Sequence, residues 1–157
     1  MAVEFVDNSI LVKAELDDTT KAWLIEWANE IASHAKRNCA MDGEEGVQLR
    51  GSYRAEVAAG GGEAQVGTPL ESGYWEEFGT GEYAVNGDGR KGWWVYKDGY
   101  KGNGGKMLTE EEAKAAAAGD PTLHATNGRP PNYTLEKAFT VNKPKAIADL
   151  ETKLKGI

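Results

Sequence analysis

The spacing of hydrophobic and polar residues changes several times along this chain, and each spacing predicts an element. Val3 and Phe5, then Ile10, Val12, Ala14 and Leu16, alternate with polar neighbours, which predicts one or two strands within residues 2–16. Asp17-Asp18-Thr19-Thr20 offers N-cap residues and places acid where a helix dipole is positive. From Lys21 the apolar positions Leu24, Trp27, Ala28, Ile31, Ala32 and Ala35 recur at steps of three and four. That period predicts an amphipathic helix of about 20 residues ending at Lys36 and Arg37.

Met41-Asp42-Gly43-Glu44-Glu45-Gly46 reads as a loop. Beyond it Val47, Leu49, Tyr53, Ala55 and Val57 alternate with Gln48, Arg50, Ser52, Arg54 and Glu56, the clearest strand pattern in the chain. Gly60-Gly61-Gly62 predicts a hairpin connection, with residues 63–67 returning as an antiparallel partner.

Fourteen of the 20 glycines lie between Gly60 and Gly105, yet Trp75, Trp93 and Trp94 share that stretch, so it is more than a linker. Its densest part is Gly73-Tyr74-Trp75-Glu76-Glu77-Phe78-Gly79-Thr80-Gly81. Three aromatics and two adjacent carboxylates predict a short helical turn with a sharp exit, rings buried on one side and acid presented on the other. Trp93-Trp94-Val95-Tyr96-Lys97 predicts a strand between turn signals at Asn86-Gly87-Asp88-Gly89 and Asp98-Gly99. Thr109-Glu110-Glu111-Glu112 opens a short alanine-rich helix with a capping box, stopped by Gly119-Asp120-Pro121. Thr134 caps a last helix in which Leu135, Ala138, Phe139, Ile147, Leu150 and Leu154 repeat. Pro144 predicts a kink there or a break into two helices. No repeat is visible, and residues 1–157 read as one domain in which residues 83–127 form a variable Gly-rich arm.

Composition narrows the function. Forty per cent hydrophobic residues and five Trp over 157 residues suit one folded domain. No apolar run approaches the ~20 residues that span a bilayer, and residues 1–15 lack the marks of a signal peptide. A soluble protein made in a cytoplasm is the expectation. Cys39 is the sole cysteine, and with only two His no metal or cofactor is expected. The net charge of −7 argues against general affinity for nucleic acid. The charge is uneven: residues 129–157 carry six Lys and Arg against three Asp and Glu, a local +3, which leaves −10 on the rest. An acidic body with a basic end can pair head-to-tail with copies of itself.

Candidate chemistry is thin. Glu76 and Glu77 are neighbours, so on a helical turn they diverge by about 100°, and a glycosidase pair needs two carboxylates facing each other across a cleft. A solvent-facing or subunit-contacting role is the better expectation for both. Gly79-Thr80-Gly81 lacks the following helix with Lys-Ser/Thr of a phosphate loop. Asn86-Gly87-Asp88-Gly89 lacks the acid ligands of a calcium loop, having Ala84 and Val95 instead. His34, Cys39 and His124 have no partner at catalytic or metal spacing. Trp93 and Trp94 point to opposite faces of a strand, so one of them needs cover from a loop, a ligand or another subunit.

The order of three segments resembles the tail-component or neck proteins of long-tailed bacteriophages, also called minor tail or tail-completion proteins. The first is Gly46-Val47-Gln48-Leu49-Arg50-Gly51-Ser52 after an amphipathic helix, with one extra residue before Leu49. The second is Val66-Gly67-Thr68 leading into Tyr74-Trp75-Glu76-Glu77-Phe78-Gly79-Thr80-Gly81, with Glu77 to Gly81 the firmest match. The third is a proline turn into the last helix, Gly128-Arg129-Pro130-Pro131-Asn132-Tyr133 followed by Thr134-Leu135-Glu136-Lys137-Ala138-Phe139. The matches run over residues 18–157; the Gly triplet and the long stretch 83–127 depart from the family.

The resemblance implies an α+β fold, a small twisted antiparallel sheet packed against a long N-terminal and a C-terminal helix, with a long Gly-rich loop. It implies no enzyme, but a virion protein forming a homo-oligomeric ring, hexameric or a multiple, at the head–tail junction. Partners would be copies of itself, head-closure or connector proteins and tail terminator or tail tube proteins, with DNA passing through the lumen and no membrane. Tyr74, Trp75, Glu76, Glu77, Phe78, Gly79, Thr80, Gly81, Trp93, Trp94 and Arg129 would be assembly residues, and Glu76 and Glu77 among the acids lining the lumen. Two other readings stand beside it. One is a carbohydrate-binding module stacking sugars on Trp75, Trp93, Trp94 and Tyr96; the other is a hydrolase using Glu76 or Glu77.

Overall fold

The computed structural model describes residues 9–97 and 107–156. Among these the fold is α+β, with five α-helices and two antiparallel two-stranded sheets. They form two compact units, one drawn from Met1–Leu70 and Thr134–Ile157, the other from Glu71–Tyr133.

The first unit is built on α1 (Ser9–Asn38), whose 30 residues end on Lys36 and Arg37 as the periodicity predicts. Its start differs from expectation. Residues 10–16 are helical and Asp17 to Thr20 lie inside the helix, so neither the strand nor the cap forms there. Lys13 to Asp18 are all exposed. Among the described residues no strand pairs with this segment, and a helix closes its main-chain hydrogen bonds internally. The expected strand around Val3 and Phe5 lies outside the described residues.

The second correction falls on residues 43–52, where α2 (Gly43–Ser52) replaces a loop and the first half of the expected strand. Gly46, Leu49 and Tyr53 are buried while Val47 is 63% exposed, so burial follows a helical step of three to four. Gly46 carries no side chain for a local reason: a Cβ there would lie 2.0 Å from the Met41 carbonyl oxygen. Glu44 and Glu45 sit in the first turn, where the helix dipole favours acid.

The strand survives as β1 (Arg54–Val57), which pairs antiparallel with β2 (Ala64–Gly67) in the register Arg54↔Gly67 to Val57↔Ala64. This is the hairpin predicted from the Gly triplet. Both strands pack on α1, and so does α5 (Thr134–Leu154). The latter runs unbroken through Pro144, so of the kink or break expected there the break into two helices does not occur.

Polar ties join α1 and α5 in opposite sequence directions, so the helices are antiparallel. Thr134 O accepts from Asn38 Nδ2, Asn142 Nδ2 lies 2.9 Å from His34 Nδ1, and Ala146 O accepts from Trp23 Nε1. Near the far end, Trp27 Nε1 donates to Asp149 Oδ2, and Lys153 bridges Asp149 and Glu26. The hydrogen bond from Lys153, then that from Trp27, holds the Asp149 carboxyl below the usual range; Asp149 and then Glu26 hold Lys153 above its own. The core proper gathers Ala35, Cys39, Leu49, Tyr53 and Ala138.

The second unit holds α3 (Glu71–Phe78), β3 (Trp94–Lys97), α4 (Glu110–Ala117) and β4 (Leu123–Thr126). β3 pairs antiparallel with β4, and Trp93 bridges Leu108 beside it. The capping box predicted at Thr109 and Glu112 is present. Asp120 accepts from the hydroxyl and then the amide of Thr122 in the turn before β4, which holds its carboxyl below the ordinary range.

Candidate functional site

The aromatic-acidic segment forms a knot within the second unit. Gly79 ends α3, its amide donating to Trp75 O at 2.9 Å. Gly79 and Gly81 both adopt positive φ, at 74° and 62°, and a short 3-10 turn follows over Gly81–Tyr83. This is the predicted helical turn with its sharp exit.

The chain that leaves the turn is clasped by residues 127–129. Thr80 N donates to Arg129 O at 2.9 Å, Arg129 N reaches Thr80 Oγ1 at 3.0 Å, and Glu82 N donates to Asn127 O at 2.9 Å. Two glycines make this approach possible. A Cβ on Gly81 would lie 2.2 Å from Asn127 O, and one on Gly128 would lie 2.1 Å from Thr80 O. No rotamer change relieves a clash with main chain.

The acids point the other way from expectation. Glu76 is fully buried and Glu77 is 8% exposed, while Tyr74 is 44% exposed. Glu76 Oε2 lies 3.0 Å from Arg129 Nη2, its Oε1 accepts from Asn132 Nδ2 at 2.9 Å, and its main-chain carbonyl accepts from Asn132 N. A buried carboxylate is tolerated where charge and hydrogen-bond partners replace its lost hydration. Solvent-facing Glu76 and Glu77 are therefore corrected to inward-facing ones. The expectation that they line a lumen falls with that.

Outside the knot, the Tyr74 ring stands 5.0 Å from that of Phe78, and Asn86 Nδ2 donates to the Tyr74 hydroxyl. Tyr74, Trp75, Thr80, Asp88, Arg90 and Trp94 line a cleft of about 410 Å³. The Arg90 guanidinium sits 5.1 Å above the Trp94 ring. Trp93 has other company, with Lys114 Nζ 5.5 Å from its ring. Both indoles are half-buried. The two adjacent indoles thus have different company: Trp94 joins Tyr74 and Trp75 at the cleft, whereas Trp93 does not.

Asn127, and the part that Asn132 plays within its segment, were not foreseen from the sequence, yet both complete the knot. Neither carries a spacing signal, because their partners lie far away along the chain. The structure also brings together two segments singled out separately, Gly79-Thr80-Gly81 and Gly128-Arg129. Among the described residues no three His, Cys, Asp or Glu side chains are grouped to hold a metal ion, and no helix is long and apolar enough to cross a membrane. Comparison with family models, curated proteins and solved structures gives no match.

Proposed function

We propose that this chain is a structural protein of a tailed-phage virion, one subunit of a homo-oligomeric ring at the head–tail junction. It would join head to tail, contact connector or head-closure proteins on one side and tail terminator or tube proteins on the other, and let DNA pass. One observation carries the reading. Two of the three segments behind the resemblance, Glu77 to Gly81 and Gly128 to Pro131, interlock through Thr80 and Arg129, and the Glu76 carboxylate beside them is spent on Arg129 and Asn132. Residues that hold one another in this way form a shape, and shape is what a building block supplies.

The enclosure of Glu76 also weakens the hydrolase reading, because a general acid or base must reach the reacting atom. Exposed Tyr83, Val85, Phe139 and Ile147 add support, since large apolar side chains in solvent mark contact surfaces. The DNA-facing acid of such a ring would come from residues other than Glu76 and Glu77. The cleft shared by Tyr74, Trp75 and Trp94 keeps carbohydrate binding as a second reading, reduced to two of its four proposed aromatics, Trp75 and Trp94.

Electron microscopy and mass photometry of the purified chain, alone and with its neck partners, test the ring. Closed rings, or incorporation at the neck, are the expected result. Persistent monomers that join neither tail nor connector would overturn it.

A further inference from the structure

The first unit closes its α1–α5 contact with small side chains, although Leu49 and Tyr53 fill the core beside it. Where α1 meets α5, the buried residues include Ala28, Ala32, Ala35, Ala138 and Ala146. Leu24, Trp27, Ile31, Val66, Phe139 and Ile147 instead line an open groove of about 380 Å³. Phe139 is 51% and Ile147 46% exposed. Hydrogen bonds from the Trp23 and Trp27 indoles to α5 fix one wall. Among the described residues Lys143 is the one charged residue on the lining, its Nζ 5.8 Å from the Phe139 ring. Such a groove suits an apolar projection with acid on its flanks.

The second unit carries one. In Glu82-Tyr83-Ala84-Val85-Asn86-Gly87-Asp88, Tyr83 and Val85 are exposed by nearly half, and the segment has two acids and no base. It is stiff. Tyr83 N bonds Thr80 O, Ala84 N bonds Gly81 O, Val85 N bonds Phe78 O and Gly87 N bonds Ala84 O. A preformed projection loses little conformational freedom on docking. Val47 on α2, beside Glu44 and Glu45, offers a single exposed side chain by comparison.

We propose that the Tyr83–Val85 knob of one copy inserts into the α1–β2–α5 groove of the next, with Asp88 and Glu82 drawn to Lys143. Made head-to-tail between two different surfaces, the contact is heterologous and propagates into a ring or a filament. The inference rests on the ring reading above and specifies which faces make the ring.

Two double variants test it: Tyr83→Asp with Val85→Asp, and Phe139→Asp with Ile147→Asp. All four side chains are exposed, and circular dichroism checks that each variant folds. Sedimentation velocity is run at a concentration where the wild type assembles. Each variant alone should be monomeric, and their equimolar mixture should give one-to-one dimers and nothing larger, because one intact knob and one intact groove remain. Lys143→Glu should weaken association about tenfold, with Lys143→Arg close to wild type. Variants that assemble as the wild type does, or a mixture that stays monomeric, would overturn this contact and leave the ring to another surface. A wild-type chain that stays monomeric even with neck partners would overturn both readings.

Discussion

Arg129 Nη2 stands 3.0 Å from Glu76 Oε2, and the two partners are unequally hydrated: the Glu76 side chain is fully enclosed, that of Arg129 35% exposed. The asymmetry decides which cut costs more. Arg129→Ala takes the countercharge from a buried carboxylate, leaving it Asn132, and should lower stability by about 3 kcal/mol. Glu76→Gln keeps the shape and the Asn132 contact while Arg129 turns to water, a loss of about 1–2 kcal/mol. Urea denaturation midpoints measure both, and equal losses would contradict the asymmetry.

Glycine matters at Gly81 for two reasons and at Gly87 for one. Both have positive φ, at 62° and 73°. Around Gly87 a Cβ would meet nothing within 4 Å, so Gly87→Ala carries only the left-handed backbone cost of about 1–2 kcal/mol. Gly81→Ala adds overpacking against Asn127 and should lose about 1–3 kcal/mol more. Melting temperatures of the pair give the comparison, and Gly81→Ala should melt clearly below Gly87→Ala.

The Asp149–Lys153 tie gives the first unit a predictable pH response. Asp149 has a depressed folded value, so its contribution is full above the unfolded value near ~3.9 and is lost as pH falls through the folded one. Lys153 has a raised value, so its contribution is full below ~10.4 and is lost as pH rises through the folded one. The wild-type stability advantage over Asp149→Asn should therefore be flat at neutral pH and shrink only in acid. Its advantage over Lys153→Met should shrink only in strong alkali. A change across pH 6–8 (about the range of histidine titration) would refute the assignment.

The aromatic cleft can be tested against its carbohydrate alternative. Trp75 and Trp94 border it, so saturable sugar binding would shift indole fluorescence. Titration with oligosaccharides should leave the spectrum flat. A saturable shift abolished by Trp94→Ala would favour the binding module instead.

Local signals in the sequence hold at several caps and turns, though not at Pro144, which α5 runs through. The Gly triplet made the β1–β2 hairpin, Thr109 and Glu112 made the α4 cap, and Gly79 with Gly81 made the sharp exit from α3. Residues 47–52 misled because alternation and a helical step share some positions: Leu49 and Tyr53 are apolar in both patterns. Val47, exposed on α2, is where they part. The orientation of Glu76 was illegible for another reason. Whether a carboxylate turns inward depends on Arg129 and Asn132, and nothing near Glu76 in the sequence announces them.

The alanine seam between α1 and α5 changes where this protein's apolar hydration is released. Chains that bury their large side chains on folding show a large heat-capacity change when they unfold. Here Trp27, Ile31, Phe139 and Ile147 border open space, so part of that change is deferred. It should appear instead as a negative heat-capacity change when a second copy covers the groove, and the melting temperature should then climb with protein concentration.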